Sequence, residues 1–599
     1  MKSSWLGGVF SRSIKCSPFR RRSAVLTAEE SDHEKIRRPG GWKCMPYIIG
    51  NEAFEKVAML GVFVNLTVYL VSHFNMPQVV AANVANIFNG TANFAPLLGA
   101  FVSDAYWGRY RTLAYASIAT FLGMLVLTLT TVVPELRPPA CTTADQLADR
   151  CVGPSRAQIG VLVVSMILLT VGAGGIRPCS LPFGVDQFDK STEQGRRGLA
   201  SFFSWYYCTS TAAVILALVM VIYIQSSVSW ALGLGIPTGL MLVAIVFFFL
   251  GTRLYVYVPP AGSVFSGIAQ VFVAAYRKRS LSLPAPDNVL LQEENLFSGP
   301  VKSDRGSKLP LTLQYRCLNK AAIKCEGEVQ EDGSIADPWR LCTVMQVEEA
   351  KCLLRIVPIW ASGIVCLLAL VQQFTFSVLQ SMRMDRHIGP HFQVPAALVG
   401  TVSMIALVLF VPVYDRLLVP LARRITGTDS GITLLQRQGA GLAVAVLAMA
   451  VAGRVEKMRR DSCWAHGGAD GVSPLLAMWL APQLVLMGVA ESFNAVGQIE
   501  FYNRQFPEHM QTLAGSLFYC TIAAASYVSS FIVAVIQKNT SWLNNNINLG
   551  RVENFYYIIG GMGVVNFLYF LVCAHFYHYK GVPEEQKLES EEDAKVVDA

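Results

Sequence analysis

Charge is what this chain has least of. Only 15% of its 599 residues are Asp, Glu, Lys or Arg, against 53% hydrophobic ones, a balance that a soluble chain of this length does not show. The sequence contains no G-x-x-x-x-G-K-[ST], no G-x-S-x-G and no H-E-x-x-H. Nucleotide hydrolysis, nucleophile-elbow acyl transfer and zincin chemistry therefore have no support, and no enzymatic activity is expected. The fourteen cysteines include no C-x-x-C pair, which removes the usual signals for a structural zinc or a dithiol centre. No nucleic-acid-reading motif accompanies the formal net charge of +8, so no nucleic-acid partner is expected.

What the chain does have is apolar runs long enough to cross a ~30 Å hydrocarbon core as helices. Twelve can be counted, at about 46–74, 79–105, 110–133, 157–182, 200–225, 228–256, 351–377, 393–414, 432–453, 474–499, 513–537 and 554–577. The expected fold is an all-α polytopic membrane protein with two six-helix halves, 46–256 and 351–580. A central loop, 257–350, joins them. A disordered tail, 1–45, precedes them and an acidic tail, 581–599, follows. The N-terminal tail lacks the apolar core of a cleavable signal peptide. It carries ten Lys or Arg, as does the central loop, which places both tails and the loop in the cytosol. One outer loop, 454–473, resists this topology because it contains Arg454, Lys457, Arg459 and Arg460.

Against so apolar a background the few intramembrane charges stand out. Glu52, Glu55 and Lys56 open the first span in N-E-A-F-E-K, and offsets of three and four place them on one helical face. A charge at the bilayer centre costs about 3 kcal/mol even on a lenient scale, so such a face points to a functional site. The competing reading is a helix end near the headgroups with an ordinary Glu52–Lys56 pair. Arg177 lies in G-A-G-G-I-R-P-C of the fourth span and Glu491 in G-V-A-E-S-F of the tenth. If the halves face each other, a pair between them would offset much of the cost of burying either charge; two residues reaching separate surfaces is the alternative. After the second span, Asp104, Gly108, Arg109 and Arg111 form D-A-Y-W-G-R-Y-R, where a glycine turn and an acid near two arginines suit a clasp between helix ends. Cys141 and Cys151 share the outer loop 134–157, where a disulfide could persist in an oxidising compartment. Asn539 heads the only glycosylation sequon in an expected outer loop.

The Asp104–Arg111 loop resembles the signature loop of the major facilitator superfamily, whose halves alternate access around a midplane site. Taken with E-x-x-E-K, with G-G-I-R-P-C-S-L-P-F-G-V-D-Q-F-D at 174–189 and with G-Q-I-E-F-Y-N-R-Q-F-P at 497–507, it resembles the plant nitrate and peptide transporter family, within the proton-dependent oligopeptide transporters. The resemblance covers about 46–580. It implies proton-coupled uptake of small solutes, with protons as coupling ion and no other cofactor. It also implies a proton-coupling role for Glu52, Glu55 and Lys56, and an inter-half salt bridge between Arg177 and Glu491. The plasma membrane is expected ahead of the vacuolar one. Thr112 resembles a position phosphorylated in one family branch, which would call for a kinase at the cytosolic face; a never-modified helix-start threonine is the favoured reading.

Departures from the family pattern bear on substrate. Met59, Leu60 and Phe63 stand where peptide carriers have tyrosines and a basic residue. The seventh span has no histidine of the kind a nitrate-binding member uses. Lysine at position 56, with M-D-R-H-I-G-P-H-F-Q-V-P at 384–395, looks most like the branch with low-affinity nitrate, nitrate-export and glucosinolate carriers. The expectation is a proton symporter of a small anionic solute, nitrate first, contacted by Lys56, Arg177, Gln372, Gln373 and Asn494. A carrier of a larger organic anion and a non-transporting solute sensor are the rivals.

Overall fold

The computed structural model describes residues 40–577, apart from 140, 142–150, 190–191, 259–263, 282–311, 313, 326, 331–334, 390–391, 427–431, 467, 469–470, 507–510 and 545. The 581–599 tail and most of 1–45 lie outside the described residues. The last part of that N-terminal segment is not tail: a short turn at Gly41–Lys43 docks on the protein, with the Gly41 amide 2.9 Å from the Gln187 carbonyl.

Twelve long helices occupy the twelve expected spans: α1 Met45–Ser72, α2 Gln78–Val102, α3 Arg109–Val132, α4 Arg156–Val185, α5 Glu193–Leu216, α6 Trp230–Leu250, α7 Val344–Met382, α8 Thr401–Val413, α9 Leu434–His466, α10 Ala481–Gln505, α11 Gln511–Asn539 and α12 Val552–His575. Local chemistry sets many of the boundaries. Pro46 takes the first turn of α1, where its missing N–H costs nothing. Capping boxes start α4 at Ser155 and Gln158, and α7 at Thr343 and Gln346. Among the described residues, nine of the helical spans are long and apolar enough to cross a membrane unaided. The other three, α2, α5 and α10, fall short because they carry polar residues used inside the protein.

In the N-terminal half α4 packs against α2 and α3, and α1 against α5 and α6; in the C-terminal half α10 lies between α8 and α9, with α12 behind α9. The halves meet chiefly where α2 crosses α11. That seam is polar and uncharged. Asn86 donates to Ser529 at 3.0 Å and accepts from Thr375 at 3.0 Å, while Gln372 donates to Ser529 at 2.7 Å. Beyond it, towards the disulfide-bearing end, Val64, Ile222 and Ala397 close an apolar seal between the halves with Leu60, Val68 and Phe374.

Two expected loops prove to be structured. Within 257–350 an amphipathic helix, Val264–Arg277, packs on α7. Lys278 after it reaches the Ile323 carbonyl at 2.7 Å and Glu328 at 2.6 Å. Moreover, α7 begins at Val344, several residues before the expected span. The outer loop at 454–473 is mostly the end of α9, where Arg454 and Lys457 are exposed and the other two cations are paired. Arg459 is wholly buried and pairs bidentately with Glu456 at 2.8 Å on each arm, its remaining nitrogen donating to Asn548 at 2.7 Å. Arg460 is paired with Glu553. A charge consumed by a buried partner is no topology signal, which removes Arg459 and Arg460 from the conflict and leaves Arg454 and Lys457 in it.

Breaking a buried pair strands its partner in low dielectric, at a cost of about 3–5 kcal/mol, whereas replacing both members by apolar residues can be near neutral. Arg459→Ala is therefore expected to lower the thermal midpoint in detergent sharply, and Glu456→Met with Arg459→Met to recover most of it. A single mutant as stable as the wild type in fluorescence-detected unfolding would refute the structural role.

Candidate functional site

The N-terminal half assembles its charges on the buried face of α1. Glu52 and Glu55 are 3% and 1% exposed. One turn on from Glu52, the Lys56 ammonium lies 3.3 Å from Glu52 Oε1. It also donates to the Ser210 hydroxyl at 3.0 Å and sits 5.5 Å from the centre of the Tyr206 ring, both on α5. Glu55 points elsewhere, and its Oε1 is buried without a hydrogen-bond partner. Glu52 and Glu55 are thus buried on one side of α1, while Lys56, its side chain 30% exposed, forms with Glu52 the pair that the competing reading also expected.

Arg177 reaches the same region from α4. Its position depends on the glycines before it, since a Cβ added at Gly99 of α2 would fall 1.9 Å from the Gly174 carbonyl oxygen. Only glycine backbones let α2 and α4 meet this closely. The Arg177 guanidinium donates to Asn93 of α2 at 3.3 Å and lies 5.2 Å from the centre of the Phe63 ring. Among the described residues no carboxylate lies within ion-pair distance of it. The expected bridge between Arg177 and Glu491 is open in this conformation, and Glu491 has no ion-pair partner among the described residues.

The other expected polar contacts divide. Gln372 belongs to the seam between the halves described above. Gln373 turns away from it, donating to the Ala448 carbonyl at 3.1 Å inside the C-terminal half. Gln373 thus holds α7 to α9 and is withdrawn as a substrate contact, because successive helical residues point about 100° apart. Asn494 is buried and accepts from Gln498 one turn away at 2.7 Å.

The loop after α2 does form a clasp, with a different acid from the one expected. Asp104 lies in a wide turn, Ser103–Trp107, and Gly108 takes a φ of +76° that a side chain would resist. Arg109 is thereby aimed at Asp186 at the end of α4, 2.5 Å away, instead of back at Asp104. Thr112 is buried, with its hydroxyl spent on the Gly108 carbonyl at 3.0 Å. A kinase would reach it only after this turn opened. Cys141 and Cys151 are disulfide-bonded, and Asn539 is exposed at the end of α11.

Sequence reading missed Ser210, Tyr206, Asn93 and Asn86. Hydroxyls scattered through α5 give no signal without knowing which face meets α1. The asparagines did carry one: Asn83, Asn86, Asn89 and Asn93 recur at helical spacing in an otherwise apolar span, a polar stripe that has to meet protein.

Two helical halves that enclose unmatched charges inside a membrane domain define a transporter rather than an enzyme. The family model PTR2, described as the POT family, matches residues 110–549. The chain is 50% identical to Protein NRT1/PTR FAMILY 2.13 of Arabidopsis thaliana, over 95% of this chain and 92% of that one. It is 47% identical to Protein NRT1/PTR FAMILY 2.12 of the same plant, over 91% and 93%. Its fold is similar to the crystal structure of an auto-inhibited POT family peptide transporter, with a TM-score of 0.64 and 20% identity over 90% of this chain and 98% of that one. The chain belongs to the POT family, as an integral membrane transporter.

Because the Arg177–Glu491 bridge is open here, its members are expected to couple in turnover and not in the stability of this state. Arg177→Ala and Glu491→Ala should each impair transport, with the double mutant losing much less than the product of the two effects. Their effects on thermal stability should add. Independent effects on transport across the double-mutant cycle would show that the two charges never meet.

Proposed function

We propose that the protein is a proton-coupled symporter of a small anionic solute, with nitrate the leading substrate. The observation that carries this reading is the mismatch of charge in the site. Among the described residues Lys56 is ion-paired with Glu52, while Glu55, Glu491 and Arg177 have no ion-pair partner, although the charges of Arg177 and Lys56 both reach Glu55. Low dielectric does not tolerate unmatched charges. Two protons on the two acids and one monovalent anion at Arg177 would leave the site neutral.

Movement follows from the same bookkeeping. Loading the anion on Arg177 competes with Glu491 for the guanidinium and holds the bridge between the halves open; unloading lets it close, and the halves rock about the uncharged seam at Asn86 and Ser529. Co-transport of more protons than anions carries net positive charge inward, and each such charge gains ~2.3 kcal/mol at a potential of about 100 mV. An importer releasing its substrate would be closed at the seal of Val64, Ile222 and Ala397 and open at the end that carries the central loop.

Selectivity reads from the lining of α1. Phe63, whose ring lies under the Arg177 guanidinium, offers no hydroxyl or cation to a peptide terminus, and each unpaired polar end would cost about 1–3 kcal/mol. With no histidine on α7 to supply a second localised charge, nitrate affinity should be low, near the millimolar range that corresponds to about −4 kcal/mol. A plasma-membrane location with both tails in the cytosol completes the proposal.

In oocytes under two-electrode voltage clamp, nitrate should evoke inward currents that grow as the bath is acidified, while dipeptides evoke little. Glu55→Gln should abolish the acid stimulation. Larger currents with dipeptides than with nitrate or any organic anion would overturn the substrate assignment, and undiminished acid stimulation in Glu55→Gln would overturn the coupling assignment.

A further inference from the structure

The arrangement around Lys56 points to a role for α5 that the charges of α1 do not disclose. We infer that Ser210 is a positioning residue for proton coupling: with Tyr206 it holds the Lys56 ammonium on Glu52 and away from Glu55. The inference deepens the proton-symport reading and rests on it.

A lysine ammonium has three N–H donors on a flexible stem, and its charge goes wherever those donors are best satisfied. Here Glu52 Oε1 lies 3.3 Å from it, Ser210 Oγ 3.0 Å, and the face of the Tyr206 ring 5.5 Å from its centre. Two of these three partners belong to α5. Ser210 and Tyr206 are one turn apart on that helix, so they form a single notch into which the lysine fits. Glu55 lies only one residue before Lys56, yet its Oε1 is buried and without a hydrogen-bond partner. The charged and titratable groups around it are Glu52 and Lys56 on its own helix, Arg177 on α4 and the Tyr206 phenol on α5.

An approaching cation favours the charged form of a carboxylate, and since the charges of Arg177 and Lys56 both reach Glu55, the distance of Lys56 is the part that the notch sets. The notch therefore decides whether Glu55 can be loaded. Without the Ser210 hydroxyl, Lys56 loses its shortest contact, and its stem can swing the ammonium towards the unsatisfied Glu55 oxygen. The charged form of Glu55 is then favoured, and a higher proton concentration is needed to load it. An arginine at position 56 would depend less on the notch, because its guanidinium carries five donors in a rigid fork and can satisfy Glu52 bidentately.

The test measures transport current against external pH at saturating anion. In Ser210→Ala the proton concentration for half-maximal current should rise about fivefold, with the current at saturating proton falling less than twofold. Ser210→Thr, which restores a hydroxyl, should return the pH profile to that of the wild type. In a Lys56→Arg background the shift caused by Ser210→Ala should shrink below twofold. An unshifted profile in Ser210→Ala would overturn the inference, as would an equal shift in the Lys56→Arg background or a failure of threonine to rescue. Acid stimulation that survives in Glu55→Gln would instead overturn the coupling reading itself, so the two failures are distinguishable.

Discussion

The structure turns on what happens to a charge taken out of water. A carboxylate or ammonium moved into low dielectric loses several kcal/mol of solvation unless a partner replaces it. The chain obeys this wherever charge serves only structure. Glu456 and Arg459 are both wholly buried, and they satisfy each other with two hydrogen bonds while Asn548 takes a third nitrogen. Among the described residues of the central site Lys56 and Glu52 form an ion pair, while Glu55, Glu491 and Arg177 have no ion-pair partner. The same physics that makes the first arrangement rigid leaves the second short of internal partners.

The rest of the fold keeps that dependence localised. Where the halves touch, amides and hydroxyls replace ions: Asn86, Thr375, Gln372 and Ser529 form a connected set. Neutral hydrogen bonds each contribute about 1 kcal/mol net, enough to register the halves and too little to lock them. Stronger fixing is found at the edges. Arg109 clasps Asp186 between the start of α3 and the end of α4. In the central segment, Lys351 and Arg355 at the start of α7 hold Thr312, with Glu348 between them. Such ties hold neighbouring helices together within each half.

Much of this was legible in the sequence because membrane spans and intramembrane charges are both read one-dimensionally. Twelve apolar runs gave twelve helices, and the spacing of Glu52, Glu55 and Lys56 gave their common face. The sequence failed where the outcome depends on which helices are neighbours. Asp104 and Asp186 are both acids near helix ends, and only the turn at Gly108 decides which one Arg109 meets. Gln372 and Gln373 are adjacent and chemically identical, but one serves the seam and the other the interior of the C-terminal half. Arg460 read as a loop cation because Glu553, which pairs with it, lies far along the chain. Ser210 was invisible for the same reason, being 154 residues from the lysine it contacts.

The central claim is that protons outnumber the anion in each cycle, since two unmatched carboxylates face one unmatched cation. Simultaneous recording of membrane current and tracer nitrate uptake, in the same voltage-clamped oocyte at acidic external pH, measures this directly. The account predicts about one net positive charge entering per anion. Uptake with no accompanying current, or with net negative charge entering, would contradict it.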